Sequence, residues 1–205
     1  MMSKRKYELK QRKAEMAETR RRITEAAVEL HGSVGPARTS LSAVAERAGV
    51  RRHTVYRHFA TDEDLFRACS SHFFAANPWP DQQPWRAISD PHRRVARALD
   101  ELYAYYERTA PMFSNVFRDL DLVDALEPTI VPLQEYLAEA ATLLAVGWGV
   151  RGRRRGRMLA AAVAHGVDFG TWHSLARDNH LSRAEAVQLV TALIEAAAGS
   201  PPAGR

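Results

Sequence analysis

Gly49 constrains the possible folds more than any other residue, because it separates two short stretches with helical spacing of apolar residues. A glycine tolerates the positive φ that a tight turn between two helices requires. Ala45 has too little bulk to hold the two helices apart. The segment therefore predicts a helix-turn-helix, with helices at about 41–48 and 52–59. Their expected shared core is Val44, Ala48, Val55 and Phe59.

The remaining sequence predicts an all-α fold, because it shows helical periodicity and no sustained strand alternation. A helix ending near residue 33 is expected to present Ile23, Ala26, Ala27 and Leu30 on one face. Thr61 is a predicted N-terminal cap, and so is Ser182, which begins a Ser-x-x-Glu capping box. Pro91, Pro111 and Pro128 each mark an expected helix start, where a missing N–H is harmless. The further helices are expected at about 15–33, 91–109, 111–125, 128–147, 157–176 and 182–198, with a loop at Arg151–Arg157.

These elements suggest an N-terminal three-helix helix-turn-helix domain followed by a C-terminal helical bundle. The proline-rich stretch from residue 77 to 84 is the expected domain boundary. The interpretation divides the chain into a basic extension at 1–18, the helix-turn-helix domain at 19–76, the helical bundle at 77–199, and a flexible tail at 200–205.

Charge is distributed unevenly along the 205 residues. Residues 1–60 contain 14 Lys and Arg against 6 Asp and Glu, whereas the remainder contains 15 against 18. All four lysines lie between Lys4 and Lys13. This pattern is typical of a polyanion-binding head on a neutral or acidic body. The arm from Lys4 to Lys13 itself is equally compatible with a disordered tail.

The second helix of the motif has the composition expected for reading DNA. Its first residues, from Arg51 to Thr54, would meet base edges in the major groove, and Arg52 suits the two acceptors of guanine. Tyr56 and His58 lie further along, where their donors can bond phosphate oxygens. The candidate DNA contacts are Ser40, Ser42, Arg51, Arg52, His53, Thr54, Tyr56, Arg57 and His58.

The chain resembles the tetracycline-repressor-like (TetR) regulators over about residues 19–76. The resemblance rests on Thr39-Ser40, on Val44-Ala45 with Ala48-Gly49-Val50, on Thr54 through Phe59, and on Leu65-Phe66. It implies an Ω-shaped homodimer of about nine helices. It further implies that Thr54, Tyr56 and His58 touch the DNA backbone, whereas Arg52 and His53 face bases.

Two positions depart from the family pattern. Asp62 stands where members usually have a lysine that reaches a phosphate, and His31 stands where an aromatic residue often closes the first helix. Loss of the lysine should weaken nonspecific affinity, because each phosphate contact adds to counterion release. The basic arm could compensate along the DNA backbone or in a minor groove.

Aromatic residues in the C-terminal half are candidates for an effector pocket between helices, although such a stripe can also be ordinary core. Asp168 could meet a cationic ligand or hydrogen-bond Trp172 or His173. The candidate pocket residues are Tyr103, Tyr106, Phe113, Phe117, His165, Asp168, Phe169 and Trp172.

The last two helices carry small and apolar residues on long faces, and the resemblance suggests that they form the homodimer interface; intrachain core is the alternative. The small and apolar residues in question are Leu159, Ala162, Val163, Gly166, Val167, Gly170, Val187, Val190, Leu193 and Ile194. The arginine-rich segment at Arg151–Arg157 is compatible with a solvated loop or with a second anion site.

The resulting prediction is a DNA-binding transcriptional regulator, a repressor that a small-molecule effector releases from a palindromic operator; the alternative is a constitutive DNA-binding protein. No nucleophile–base set, phosphate loop or metal-binding spacing suggests an enzyme, a cofactor or a metal. The lone Cys69 excludes an internal disulfide and is expected in the core. Because no apolar run approaches membrane-spanning length and the N-terminus is too polar for a signal peptide, a cytoplasmic location is expected.

Overall fold

The computed structural model describes residues 4–199, and the predicted tail at 200–205 lies outside these residues. Among the described residues every regular element is a helix and no strand occurs, which confirms the predicted fold class. Its helices are α1 (Lys4–Ser33), α2 (Leu41–Arg47), α3 (Arg52–His58), α4 (Asp62–Ala76), α5 (Gln83–Arg86), α6 (Pro91–Asp119), α7 (Glu127–Leu144), α8 (Arg153–Val167), α9 (Phe169–His173) and α10 (Arg183–Ala198). Short 3₁₀ turns lie at Pro36–Arg38, Leu120–Leu122 and Asp124–Leu126, and a π-helical turn at Ser174–Asp178 follows α9.

The helices form two compact units. Unit 1 contains the chain up to Pro78 together with Pro111–Ile130, and unit 2 contains Trp79–Ala110 together with the chain from Val131 onward. The sequence interpretation placed residues 111–130 with the C-terminal bundle. In the structure the end of α6 instead packs in unit 1, where the Phe113 ring lies 6.1 Å from that of Phe73.

The core of unit 1 joins α1 to the helix-turn-helix and to α4. The predicted face of α1 is confirmed for Ile23, Ala26 and Ala27, whereas Leu30 is only half-buried. The four predicted core residues of α2 and α3 are all buried. Cys69 completes this core, and burial raises the pKa of its thiol to about 12, so the thiol stays protonated.

Unit 2 is built around the first half of α6 packed with α8 and α10. Val95, Leu99 and Leu102 are buried on α6, and Val163 and Ile194 are buried on α8 and α10. The capping box that begins α10 is present as predicted: the Ser182 hydroxyl accepts from the Glu185 N–H, and the Glu185 carboxylate accepts from the Ser182 N–H.

Pro111 lies inside α6, so the prediction of two helices at 91–109 and 111–125 was wrong. Proline removes the N–H that would bond to the carbonyl of Glu107, and both residues are exposed. That carbonyl can be hydrated, while buried Thr109, Ala110 and Phe113 keep the helix in place on either side.

Two further boundaries differ from the expected ones. The segment 157–176 is interrupted at Asp168, whose backbone is extended and whose carboxylate accepts the Gly170 N–H at 2.7 Å. An aspartate inside a helical pattern can therefore end one helix and cap the next. The expected loop at Arg151–Arg157 is also wrong in part, because α8 begins at Arg153.

Candidate nucleic-acid interface

The turn between α2 and α3 has the geometry predicted for Gly49. Its φ is +64°, and the Val50 N–H donates to the Ala45 carbonyl at 2.9 Å across the turn. Ser40 caps α2, since its hydroxyl accepts the Ala43 N–H at 3.1 Å. These bonds satisfy main-chain groups that helices of only seven residues would otherwise leave open.

An arginine from α1 closes this turn. Arg22 donates to the Ala48 carbonyl and, at 3.3 Å, to the Gly49 carbonyl. A Cβ at position 49 would lie 2.9 Å from the Arg22 guanidinium, so a side chain there would displace this arginine. A cation at the C-terminal end of α2 also complements the helix dipole.

A second arginine from α1 holds the end of α3. The Arg20 guanidinium lies 4.0 Å from the centre of the Phe59 ring and donates to the His58 carbonyl. Arg20 and Arg22 thus fix the C-terminal ends of both helices of the motif. The sequence analysis did not identify either residue. The only signal in the sequence was that two arginines stand two positions apart in the helix that precedes the motif.

Most of the predicted DNA contacts on α3 face solvent. Val55 is buried beneath them, Thr54 and His58 are half-buried, and the other members are exposed. The Arg52 guanidinium donates to the Tyr56 hydroxyl at 3.1 Å. Ser42 is exposed on α2, while the Ser40 hydroxyl is engaged in its capping bond. The exposed members of α3 are Arg51 at its N-cap, Arg52, His53, Tyr56 and Arg57.

His58 is the predicted contact whose surroundings differ most from the expectation. Its Nε2 is buried and has no hydrogen-bond partner among residues 4–199. Partial burial, with the neighbouring charges of Arg57 and Arg20, lowers the pKa of this imidazole. The ring is therefore neutral at pH 7, and a phosphate contact would have to come from its other nitrogen.

The last turns of α6 hold the end of α1. The Asn115 amide donates to the carbonyls of His31 and Gly32 at 3.0 and 2.9 Å. Asp119 is 1% exposed and accepts from the Ala37 N–H at 3.0 Å. The guanidinium of Arg118 bonds to Asp119 and holds the pKa of that carboxyl below its usual range. These bonds fix the connection that leads from α1 into α2.

His31 takes the place of the aromatic residue expected at the end of α1. It is buried and stacks on Phe66, with ring centroids 5.0 Å apart and 19° between the ring planes. Burial lowers the pKa of His31 to about 4, although the Asp119 carboxylate opposes the shift. A neutral imidazole therefore serves as the flat ring in this core.

The basic arm is part of α1 rather than a disordered tail, because α1 extends from Lys4 without interruption. Its side chains from Lys6 to Glu18 are all exposed. Lys6, Lys10 and Lys13 therefore project from a helix, and the side chains of the first five residues lie outside those described.

The predicted effector residues separate into groups that belong to different units. In unit 2, the rings of Tyr106, Phe169 and Trp172 form one buried cluster with centroids 5.4 to 5.9 Å apart. Tyr103 joins it at 6.3 Å from Tyr106. In unit 1, Phe113 contacts Phe117 at 5.9 Å.

The tyrosine hydroxyls of this cluster already have protein partners. Tyr103 donates to the Gly166 carbonyl at 2.9 Å, and Tyr106 donates to the Val167 carbonyl at 2.6 Å. Burial raises the pKa of both phenols, so both remain neutral donors. The indole N–H of Trp172 is buried and has no partner among the described residues.

The two polar candidates of this group do not face the cluster as expected. His165 is exposed and its Nδ1 lies 3.2 Å from the Thr171 hydroxyl. Asp168 is exposed and caps α9 through Gly170, so its carboxylate is bonded there rather than to Trp172 or His173.

Residues 4–199 contain no group of three or more His, Cys, Asp or Glu side chains placed to share a metal ion. Within the same range, no helix combines the length and hydropathy that a membrane crossing needs.

Known proteins match this arrangement in sequence and in structure. Residues 23–69 match the family described as "Bacterial regulatory proteins, tetR family", a range that begins within α1 and ends within α4. A solved TetR-like transcriptional regulator from Rhodococcus sp. RHA1 is 19% identical, with a TM-score of 0.62 over 89% of this chain and 97% of that chain. A TetR transcription regulator from Haloarcula marismortui ATCC 43049 is 15% identical, with a TM-score of 0.55 over 89% and 97%.

A third similar structure is that of the multidrug binding protein EbrR complexed with imidazole. It is 25% identical, with a TM-score of 0.50 over 85% of this chain and 93% of that chain. The likeness therefore extends over both units, whereas the family match is confined to the helix-turn-helix and the helices around it.

Proposed function

We propose that this chain is a TetR-family transcriptional regulator, because residues 23–69 match that family, and that it is a homodimeric repressor which a small-molecule effector releases from a palindromic operator. The observation that carries the proposal is the exposed polar face of α3 above the buried Val55. A helix held in this way can enter the major groove with its N-terminal residues toward the bases. The proposal includes no catalytic activity.

In this proposal some residues of α3 contact bases and others contact phosphates. Arg52 reads guanine, and its bond to Tyr56 orders the guanidinium before DNA arrives. Arg51 and His53 approach neighbouring base edges, while Thr54, Tyr56, Arg57 and His58 position the helix on phosphates, with Ser40 and Ser42 contributing from α2.

The basic N-terminal part of α1 supplies further phosphate contacts. It carries exposed Lys6, Lys10, Arg12 and Lys13 on one continuous helix. Each lysine or arginine that neutralises a phosphate adds to affinity and to its salt dependence. Asp62 at the start of α4 cannot bind a phosphate as a lysine would. We therefore propose that the basic segment of α1 supplies this phosphate contact instead.

Dimerisation through α8 and α10 is supported by the apolar residues that unit 2 leaves exposed. Leu193 is 55% exposed and Leu189 is 41% exposed, one turn apart on α10. Gly166, Val163, Val190 and Ile194, by contrast, are buried within one protomer. The interface we propose is thus the outer face of these helices around Leu189 and Leu193. Binding of a dimer to a palindromic site requires two copies of α3 about 34–36 Å apart on the DNA.

The aromatic cluster of unit 2 is the effector site that we propose. The unpartnered indole N–H of Trp172 supports it, because a buried donor without an acceptor costs about 1–3 kcal/mol. An effector with an acceptor oxygen or nitrogen would satisfy that donor. The described binding of multiple drugs by EbrR supports ligand binding within this fold.

Helix α6 provides a route from effector to DNA. It carries Tyr103 and Tyr106 in unit 2, and further along it carries Asn115 and Asp119, which hold the end of α1 in unit 1. A displacement of α6 that weakens operator binding ten- to hundredfold needs a coupling free energy of about 1.4–2.8 kcal/mol.

A constitutive DNA-binding protein is the second candidate. The observation that favours it is the aromatic cluster itself, where both tyrosine hydroxyls are already bonded to main-chain carbonyls. Such a cluster can serve as core without any ligand.

The experiment that tests the proposal is a binding titration of the purified protein on the DNA that flanks its own gene, repeated at several salt concentrations. We expect a dimer to bind a palindromic site, and the logarithm of its affinity to fall linearly with the logarithm of the salt concentration. We also expect a member of a library of aromatic ligands to release the protein from the DNA. Binding that no ligand alters would favour the constitutive alternative. A protein that ignores duplex DNA even at low ionic strength would contradict both.

A further inference from the structure

Five arginines lie within seven residues at the beginning of α8. We call Arg151, Arg153, Arg154, Arg155 and Arg157 the arginine patch; all five are exposed. No acidic residue occurs in the sequence between Glu139 and Asp168. Among residues 4–199, none of the five forms an ion pair with Asp or Glu.

The patch is a local exception to the charge of its surroundings. Residues 61–205 contain 15 basic and 18 acidic residues, and without the patch only 10 basic residues remain against the 18 acidic ones. Like charges so close together repel one another, and cations near a helix N-terminus oppose the helix dipole. The arrangement is therefore unfavourable in the free protein, and an anion would relieve it.

One member of the patch is anchored to a neighbouring helix. A Cβ added to Gly199 would lie 2.8 Å from Cζ of Arg155, so this guanidinium packs against the C-terminal end of α10. The negative end of the α10 dipole suits a cation there. Arg155 thus lies beside the end of α10.

A surface cavity lies among these side chains. It has a volume of about 520 Å³ and is lined by Arg151, Arg153, Arg154 and Arg155. Met158, Ala196 and Ala197 supply its apolar part. Sites for small molecules commonly have volumes of about 300–1,000 Å³. The cavity thus combines several guanidinium groups with a small apolar surface.

We propose that the arginine patch binds a small anion that carries two linked phosphate groups, such as inorganic pyrophosphate or the diphosphate of a nucleotide. Guanidinium groups bind phosphate oxygens in a bidentate manner, and several converging arginines match more than one phosphate. The concave shape favours a small ligand over a nucleic-acid strand, which would need a continuous row of positive charge. This site is separate from the DNA-reading face of α3 and does not depend on the effector proposal.

The test is isothermal titration of the full-length protein with sodium pyrophosphate and with ADP, at constant ionic strength. The decisive variant is Arg153→Gln with Arg154→Gln. Its matched control is Arg86→Gln with Arg93→Gln, which removes two exposed arginines of the same unit. We expect the patch variant to raise the Kd for pyrophosphate at least tenfold, while the control variant leaves it within twofold. Circular dichroism and operator binding should be unchanged in both variants.

Tighter binding of ADP than of pyrophosphate would identify a nucleotide as the ligand class, and equal binding would identify the diphosphate alone; either result supports the site. Absence of pyrophosphate binding to the wild-type protein would overturn the proposal. Equal weakening in the patch and control variants would overturn it too. A patch variant with reduced DNA affinity, in a protein that does not bind pyrophosphate, would show that the arginines serve nucleic acid instead.

Discussion

Each of the two units is stabilised internally by a different kind of interaction. In unit 1, α2 and α3 have seven residues each and are fixed by side chains that bond to main-chain groups, with Arg20, Arg22 and Ser40 as the main examples. In unit 2, the long helices α6, α8 and α10 pack through buried aliphatic and aromatic side chains. Gly166 lets α8 approach α10 so closely that a Cβ there would lie 2.7 Å from Val190.

The difference follows from helix length. A helix of two turns buries too few side chains for packing alone to set its orientation, so directional bonds to its ends must do so. Long amphipathic helices obtain their stability from packed faces. Unit 1 therefore presents α3 in one fixed orientation, whereas the aromatic core of unit 2 depends on close packing around one unpartnered indole.

The largest expected effect on the free energy of unfolding comes from removing a packed side chain in unit 2. Trp172→Ala removes a fully buried indole and should lower the free energy of unfolding by about 3–5 kcal/mol. Trp172→Phe keeps most of the ring and removes the unpartnered N–H, so it should cost less than about 1.5 kcal/mol. Chemical denaturation of both variants measures the difference. Equal destabilisation would show that packing is not what stabilises this unit.

The next effect concerns the single buried imidazole of unit 1. The pKa of His31 is about 4 in the folded state against an ordinary value of 6.5, so the unfolded chain binds a proton first as pH falls. Stability should therefore decrease between pH 6.5 and pH 4, by up to about 3 kcal/mol from this residue. His31→Phe keeps an aromatic ring on Phe66 and should flatten that dependence. An unchanged profile in denaturation experiments across this range would contradict the buried, neutral state of His31.

A smaller effect tests the directional bonds of unit 1. Arg22→Ala leaves the carbonyls of Ala48 and Gly49 without this donor and should destabilise the motif by about 1–3 kcal/mol. Arg21→Ala is the matched control, because among residues 4–199 Arg21 pairs only with Glu18 and Glu25 on the exposed side of α1. The control should change stability much less, because ion pairs between exposed side chains contribute little to the free energy of unfolding. If both variants behaved alike in denaturation and in DNA binding, the bonds from arginine side chains to main-chain carbonyls would not be what stabilises unit 1.

The smallest effect concerns the exposed beginning of α1. Lys10→Gln with Lys13→Gln should leave the unfolding free energy unchanged and reduce the slope of log affinity against log salt by about 0.9 for each phosphate that these lysines neutralise. Binding titrations at several salt concentrations measure the slope. A slope equal to that of the wild type would exclude these lysines from the DNA interface.

The sequence predicted those features whose causes lie within a few residues. Gly49 in its turn, Thr61 as a cap and the Ser182–Glu185 capping box are all present in the structure. In each case the residue acts on main-chain groups of its own segment, so its type and spacing are sufficient evidence.

Features that depend on distant partners were not predictable in this way. Arg20 and Arg22 act across 38 and 26 positions, and Asn115 acts across 84. Pro111 remains inside α6, where buried residues lie on either side of it. The aromatic stripes gave the candidates for the effector cluster but did not show that Phe113 belongs to unit 1 or that the tyrosine hydroxyls are already bonded.

The most direct test of the account is the base preference of Arg52→Ala, measured by competition among operator variants with one base pair changed at a time. We predict that the variant no longer discriminates at a single G·C pair in each half-site, at a cost of about 1–3 kcal/mol, while it keeps the stability of the wild type. Arg67→Ala on α4 should leave every preference as it was. Unaltered discrimination in Arg52→Ala would contradict the placement of α3 in the major groove.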